Sequence, residues 1–246
     1  MVQLVGILNI TPDSFSDGGL FFDVKKAIKQ AEQLFDDGAS IVDVGAESTR
    51  PNAMAITANQ EWERLEPVLN ALIPRYPGKI SVDSYRPETI MRANAIGPVM
   101  INDITGLNNP AMVDVVAGLD ATVIISHLPG IDIQKAHSGK LVDSVKKVKK
   151  DLLEKTQLLE DKGLKNHQII LDPGIGFGKT MELNNELLKF AEQVPGYSVI
   201  IGYSRKRFLG EKRMDLAPNL EAGKIAIASG AAYIRIHDVA GHKQLL

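Results

Sequence analysis

The sequence predicts an α/β fold, a single-domain (β/α)8 TIM barrel over residues 1–246 with a shortened C-terminal helix. Three features predict it. About eight short apolar runs, each followed by a helical segment, are spread over 246 residues, a length ordinary for one closed barrel. The runs are apolar throughout rather than alternating, as in parallel strands buried on both faces. Most end abruptly in a polar or charged residue, where parallel α/β folds meet their ligands. A doubly wound open sheet is the alternative, although it normally has fewer strands. No composition break marks a linker, and no close sequence repeat accompanies the architectural one.

Taken in order, Gln3 to Leu8 form a first strand ending at Asn9, followed by the polar, proline- and glycine-marked loop Thr11 to Gly19. Asp23 is the expected cap of a helix with Ala27, Ala31 and Leu34 on its apolar face, and Gly38 is its stop. Ile41 and Val42 lead to Asp43, and the next helix is expected over Glu61 to Leu72. Ile80 and Val82 lead to Asp83, with a helix beginning near Pro87; Val99 to Ile101 lead to Asn102 and Asp103; Thr122 to Ile125 lead to Ser126 and His127. A long helix is expected from about Gly139 to Lys162, with Leu141, Val145, Val148, Leu152 and Leu159 on one face. Its lysines, Lys146, Lys147, Lys149 and Lys150, read as a solvated side rather than an anion site. Ile169 to Leu171 end at Asp172, Val199 to Ile201 lead to Gly202, Ser204, Arg205 and Lys206, and Tyr233 to Ile236 carry Arg235 and end at His237 and Asp238. Nine residues remain from Asp238, enough for roughly 13 Å of helix at 1.5 Å per residue. Gly241 weakens that helix further, and the helix near Leu220 to Ser229 reads as short too.

Composition narrows the function. At 44% hydrophobic and 24% charged residues the chain can fill a sizeable core. A net charge of -2 argues against nucleic acid or an anionic membrane as the main partner. No apolar run approaches the roughly 18 residues of a membrane span, and no basic and apolar leader opens the chain. The absence of cysteine excludes disulfides and thiolate metal sites and fits a cytoplasmic location.

The stretch Ile169 to Thr180 carries the strongest chemical signal. A phosphate-cradling Walker loop would need glycine where Pro173 stands, and a dinucleotide fingerprint would need it at Lys179. What remains is an acid, Asp172, before a backbone that Gly174, Gly176 and Gly178 leave open to a flat ligand. Alone, Asp172 reads equally well as a helix or turn cap. In a barrel, however, Asn9, Asp43, Asp83, Asn102, His127, Asp172, Lys206 and His237 converge on one mouth. Carboxylates, carboxamides and a lysine suit a nitrogen-rich heterocycle, while Ser48-Thr49-Arg50 and Ser204-Arg205-Lys206 suit a phosphate. A divalent ion held through such phosphates needs only one or two protein oxygens, for which Asn9 and Asp17 are candidates. His127 and His237 lack a ligand-pair spacing, which disfavours zinc, and the many carboxylates disfavour Lys206 as a Schiff-base lysine.

The blocks Asn9 to Gly19, Asp43 to Pro51, Ser81 to Ser84, Asn102-Asp103, Leu171 to Lys179, Ser204 to Lys206 and Arg235 to Val239 together resemble the dihydropteroate synthase family of pterin-binding enzymes. The resemblance runs in order over nearly the whole chain. It implies a transferase of folate biosynthesis that condenses 6-hydroxymethyl-7,8-dihydropterin diphosphate with 4-aminobenzoate, and a sulfonamide target. It implies that Asp83, Asn102, Asp172 and Lys206 hold the pterin, with Asp43 near its rings and Arg235 stacked beside it. Asn9, Arg50, Arg235 and His237 would hold the diphosphate, and Mg²⁺ would bridge it with Asn9 as protein ligand. Phe15, Thr49, Pro51, Phe177 and Ser204 would form the aminobenzoate pocket; Asp17, Lys206, Arg235 and His237 would take part in catalysis. A homodimer built by the last helices is implied as well. Two departures stand out: Ser126 and Leu128 flank His127 where the family usually has a Met-His-Met-like run, which puts an apolar wall of the pterin pocket in question, and the last helix is short. A catalytically silent pterin-binding paralogue and a corrinoid-dependent pterin methyltransferase are the alternatives. The first is disfavoured by a complete polar set, the second by Thr11 to Asp17 and Ser204-Arg205-Lys206.

Overall fold

A computed structural model of the chain describes residues 1–11, 20–48, 54–130 and 141–246, with backbone alone for 20–23. Its strands are β1 (Gln3–Asn9), β2 (Ile41–Gly45), β3 (Ile80–Asp83), β4 (Met100–Asp103), β5 (Val123–Ser126), β6 (Ile169–Asp172), β7 (Ser198–Ile201) and β8 (Tyr233–Ile236). They close into a barrel in sequence order, every pairing parallel, with β8 returning to β1 in the register Gln3↔Tyr233 to Gly6↔Ile236. The expected closed barrel is the observed one, and the open sheet is excluded.

Side chains alternate across a strand, and this sets the level of every polar group. Val5, Ile41, Ile124, Ile170 and Ile200 form a separate apolar cluster inside the barrel, with Met100 and Tyr233 against it. Two residues further along those strands stand Ile7, Asp43, Asn102, Ser126, Asp172, Gly202 and Arg235, polar at five of the seven positions. The interior is thus an apolar floor under a polar layer. The intervening residues, among them Leu4, Leu8, Val42, Val44, Val82, Ile101, Val123 and Leu171, face outward into the main core under the helices.

The helices are α1 (Leu20–Asp36), α2 (Ala58–Leu72), α3 (Pro87–Ile96), α4 (Pro110–Leu119), α5 (Val145–Asp161), α6 (Met181–Glu186), α7 (Leu216–Ala228) and α8 (Val239–His242). Several boundaries depart from expectation. The α1 helix starts at Leu20, so Asp23 lies within it rather than capping it, while Gly38 ends it at φ +110 as expected. The start of α2 moves to Ala58 because Thr57 and Gln60 form a reciprocal capping box. The α5 helix starts only at Val145: Leu141 is exposed and Val142 forms a parallel bridge to Lys179, so neither extends its apolar face. The α7 helix begins at Leu216, ahead of the expected start.

The last helix is short, as expected. Asp238 caps α8 by accepting the Gly241 amide at 2.8 Å, and Val239 and His242 are buried against the barrel. Gly241 is there for contact rather than weakness: a Cβ would meet Asp238 Oδ2 at 2.6 Å and Leu216 Cδ1 at 2.7 Å. Among the described residues no helix is long and apolar enough to cross a membrane.

Candidate active site

The polar layer is a connected set. Asp43 on β2 accepts hydrogen bonds from Ser81 Oγ at 2.6 Å and Asn102 Nδ2 at 2.8 Å. Asp172 on β6 accepts the Gly174 amide at 2.7 Å through Oδ1 and Arg235 Nη2 at 2.8 Å through Oδ2. Arg235 on β8 spans the barrel, its other terminal nitrogen 3.8 Å from Asp43 Oδ2. Asp43, Asn102 and Asp172 are all buried. Asp83 ends β3 opposite Gly45 in the register; burial, and next the Asp43 charge, push its carboxyl well above the usual range.

The set is incomplete. Asn102 Oδ1, Ser126 Oγ and Arg235 Nη1 are buried without a hydrogen-bond partner. Each such group costs roughly 1–3 kcal/mol if left so. Acceptors, a hydroxyl and a cationic donor are therefore presented together, which suits a flat ligand carrying both amide-like and amino groups.

The loop after β6 supplies the next level. Gly174 has φ +65, and a Cβ there would lie 2.1 Å from the His127 carbonyl oxygen, so only glycine fits. Lys206 reaches under this loop, donating a short hydrogen bond to the Ile175 carbonyl, with Nζ 4.8 Å from the Phe177 ring centroid. Burial lowers its pKa to about 8, opposed by Asp172. Phe177 is buried with Ile104 and Leu128, and Tyr85 packs against them. Of the two residues flanking His127, Leu128 thus adds to an apolar cluster with Phe177, whereas Ser126 presents a buried hydroxyl. Ser204 and His237 join the ends of β7 and β8: the His237 amide donates to Ser204 Oγ at 3.3 Å, and Nδ1 lies 3.0 Å from it. Asn9 ends β1 beside them and is exposed.

The structure thus gathers Asp43, Asp83, Asn102, Asp172, Lys206 and Arg235, with Phe177 above and Asn9, Ser204 and His237 at adjoining strand ends. His127 stands apart from them: it lies beyond β5 against α5, its Nε2 3.1 Å from Asp151. Burial lowers its pKa to about 4. Phe15, Asp17, Thr49, Arg50 and Pro51 lie outside the described residues.

Three features escaped the sequence reading. Asp103 points away from the mouth and braces its loop, accepting the Thr105 amide and hydroxyl, each at 2.7 Å, and the Leu107 amide at 3.2 Å. Arg86 donates to Glu47 at 2.7 Å, Glu61 at 2.9 Å and the Ile56 carbonyl at 2.6 Å, behind the β2 loop. The signal was present, since Glu61 lies on the same helical face as Leu65, Val68, Leu69 and Leu72, where a lone acid needs a partner. Lys179 is the third: it is buried and donates to three backbone carbonyls.

A family model described as pterin binding enzyme matches residues 5–237. The dihydropteroate synthase of Haemophilus influenzae is 36% identical over 251 aligned residues, covering 99% of this chain and 91% of that protein. Among solved structures, the Xanthomonas albilineans dihydropteroate synthase with 4-aminobenzoic acid superposes with a TM-score of 0.89 at 36% identity, covering 99% of this chain and 90% of that one. The same organism's dihydropteroate synthase in complex with 7,8-dihydropteroate gives 0.83 at 33%, with the same coverage. The chain belongs to the pterin-binding enzyme family, and within it to the dihydropteroate synthases.

Proposed function

We propose that this transferase condenses 6-hydroxymethyl-7,8-dihydropterin diphosphate with 4-aminobenzoate, releasing diphosphate and 7,8-dihydropteroate, as a step of folate biosynthesis. The observation that supports it best is the polar layer itself. Asp43, Asn102 and Asp172 stand around Arg235 above an apolar floor, with Asn102 Oδ1 and Arg235 Nη1 still lacking partners. In this reading Asp83, Asn102 and Asp172 pair with the nitrogens of the pterin edge. Lys206 donates to it, Asp43 lies near its rings and Arg235 stacks beside it.

The reaction is an ionising substitution. The carbon–oxygen bond breaks with its electron pair leaving on the diphosphate, and the aniline nitrogen forms the new carbon–nitrogen bond and loses a proton. Arg50, Arg235 and His237 hold the leaving group, and the carboxylates stabilise the pterin cation electrostatically. Asp17 acts on that cation or orients the amine, while Phe15, Thr49, Pro51, Phe177 and Ser204 hold the aminobenzoate. A sulfonamide has the same shape and competes for that pocket.

Mg²⁺ fits the residues present. Asn9 offers one exposed carboxamide oxygen at the mouth, and the described residues hold no cluster of three or more acidic or histidine ligands. That suits an ion carried mainly by substrate phosphates. When bound it would neutralise charge on the departing diphosphate.

The test is an assay with isotope-labelled aminobenzoate, with and without the pterin diphosphate and Mg²⁺. Labelled dihydropteroate should form only with the pterin diphosphate present, and chelation should stop it. No product at saturating substrates would overturn the reading. We also propose a homodimer through the exposed apolar side chains near α7, among them Met214 and Ile225. Sedimentation equilibrium showing a 26.8 kDa monomer at micromolar concentration would exclude it.

A further inference from the structure

Lys179 ends the glycine-rich loop after β6 and is not among the residues assigned above to either substrate. Its ammonium is buried, with 6% of the residue exposed, and Nζ donates to the carbonyl oxygens of His127 at 3.0 Å, Gly174 at 2.9 Å and Phe177 at 2.9 Å. An ammonium has three protons, and each has one acceptor here. Among the described residues no carboxylate shares the bonding: Asp172 and Asp151 act on it only through their charge, and Asp172 is already engaged with the Gly174 amide and Arg235. A cation buried without a bonded counter-ion is costly, and burial draws its pKa down to about 7. Such a group persists where the surrounding backbone depends on it.

The acceptors show what depends on it. Gly174 and Phe177 lie within the loop that Lys179 ends, and His127 follows β5, so one ammonium ties two strand-end loops together. A ladder closes the far side: the Val142 amide donates to the Gly178 carbonyl at 2.8 Å, and the Thr180 amide to the Val142 carbonyl at 3.1 Å. Between Gly174 and Lys179 lie the two groups that bracket Lys206, the Ile175 carbonyl and the Phe177 ring. The backbone at Gly174 and Gly176 is left-handed, at φ +65 and +86, which glycine adopts without strain, so glycine permits the turn and the hydrogen bonds to Lys179 fix where it sits.

We propose that Lys179 is a positioning residue: its buried ammonium folds residues 174–179 so that the Ile175 carbonyl and the Phe177 ring are aimed at Lys206. It thereby sets both the pterin contact made by Lys206 and the aminobenzoate wall made by Phe177. The kinetic consequence rests on the function proposed above; the geometric one does not.

Because the chain contains no cysteine, Lys179→Cys introduces a single thiol. Alkylating it in denaturant with 2-bromoethylamine, then refolding, restores an ammonium at the length of lysine; iodoacetamide gives a neutral control. Wild-type protein taken through the same cycle is the reference. Lys179→Met and the neutral adduct are expected to lower kcat/KM by about 10²-fold, the scale of a misplacement near 1 Å, mostly through KM for aminobenzoate. The fall of kcat/KM near pH 7, where the wild-type Lys179 ammonium loses its proton, should be absent from both. Amide exchange at Gly176 and Phe177 should accelerate. The aminoethylated protein should recover all three properties. Wild-type kinetics and exchange in Lys179→Met, or equal recovery with both adducts, would overturn the proposal. Should Lys179→Met fail to fold, the adduct pair decides. If the wild-type protein made no dihydropteroate, the function would fall while amide exchange still tested the positioning.

Discussion

Asp83 and Asp172 are both assigned to the pterin, yet they sit in opposite electrostatic situations, and their alanine variants should separate binding from folding. Asp172 is a strut: it holds the Gly174 amide at 2.7 Å and Arg235 at 2.8 Å. Removing it leaves Arg235, largely buried and already carrying one unpartnered nitrogen, with Asp43 Oδ2 3.8 Å away. Breaking a buried pair by deleting one partner costs about 3–5 kcal/mol. At about 2–4 °C per kcal/mol for a chain of this size, Asp172→Ala should melt on the order of 10 °C lower. Asp83 has the reverse situation, since burial and the Asp43 charge raise its pKa. Deleting it removes a repulsion, and Asp83→Ala should melt at or above the wild-type temperature. Both variants should lose pterin binding, by about 2–5 kcal/mol where a desolvated ligand group is left unpaired. Calorimetric titration with the pterin and scanning calorimetry of the free proteins give the two axes. Equal destabilisation by both variants would refute the electrostatic argument, and unchanged pterin affinity in either would refute its assignment.

Three further outcomes follow from the geometry. Lys206 has a pKa near 8 in the free protein, so kcat/KM for the pterin diphosphate should fall above that pH as the donor loses its proton; Lys206→Arg should lack that step and keep only the fall near 7 set by Lys179, and an unchanged profile would exclude Lys206 as its source. Arg86→Met should destabilise the protein by about 3–5 kcal/mol in urea melts, because it strands buried Glu61, and adding Glu61→Gln should recover part of that loss. His127 is held neutral by burial, its pKa lowered from 6.5 to about 4. The native state therefore binds fewer protons than the unfolded state between those values. Its contribution is intact above pH 6.5 and is lost as pH falls toward 4, by about 3 kcal/mol at most. His127→Gln should flatten that part of the stability–pH curve relative to wild type, and identical curves would show that His127 is not its source.

The barrel was legible in the sequence because parallel strands buried on both faces leave apolar runs, and most runs here stop at a polar residue. The strand ends Asn9, Asp83 and Asp172 were therefore found by position alone, and Asn102 one residue short of an end, whereas β2 runs two residues past Asp43 to Gly45. Helix starts were less legible, since Thr57 and the bridge at Val142 act through local hydrogen bonds that apolar periodicity does not record. A run without alternation also cannot say which residues face inward. Only closure of the barrel put Asn102 into the mouth and turned its neighbour Asp103 outward, and only closure brought Arg235 on β8 between Asp43 on β2 and Asp172 on β6. The sequence by itself determined the fold and the residue types at the mouth, because both depend on local patterning and on chain order. The tertiary structure decided which acids pair, which polar atoms are left for a ligand, and that Lys179 folds a loop, because pairing and desolvation depend on distances between residues far apart in the chain.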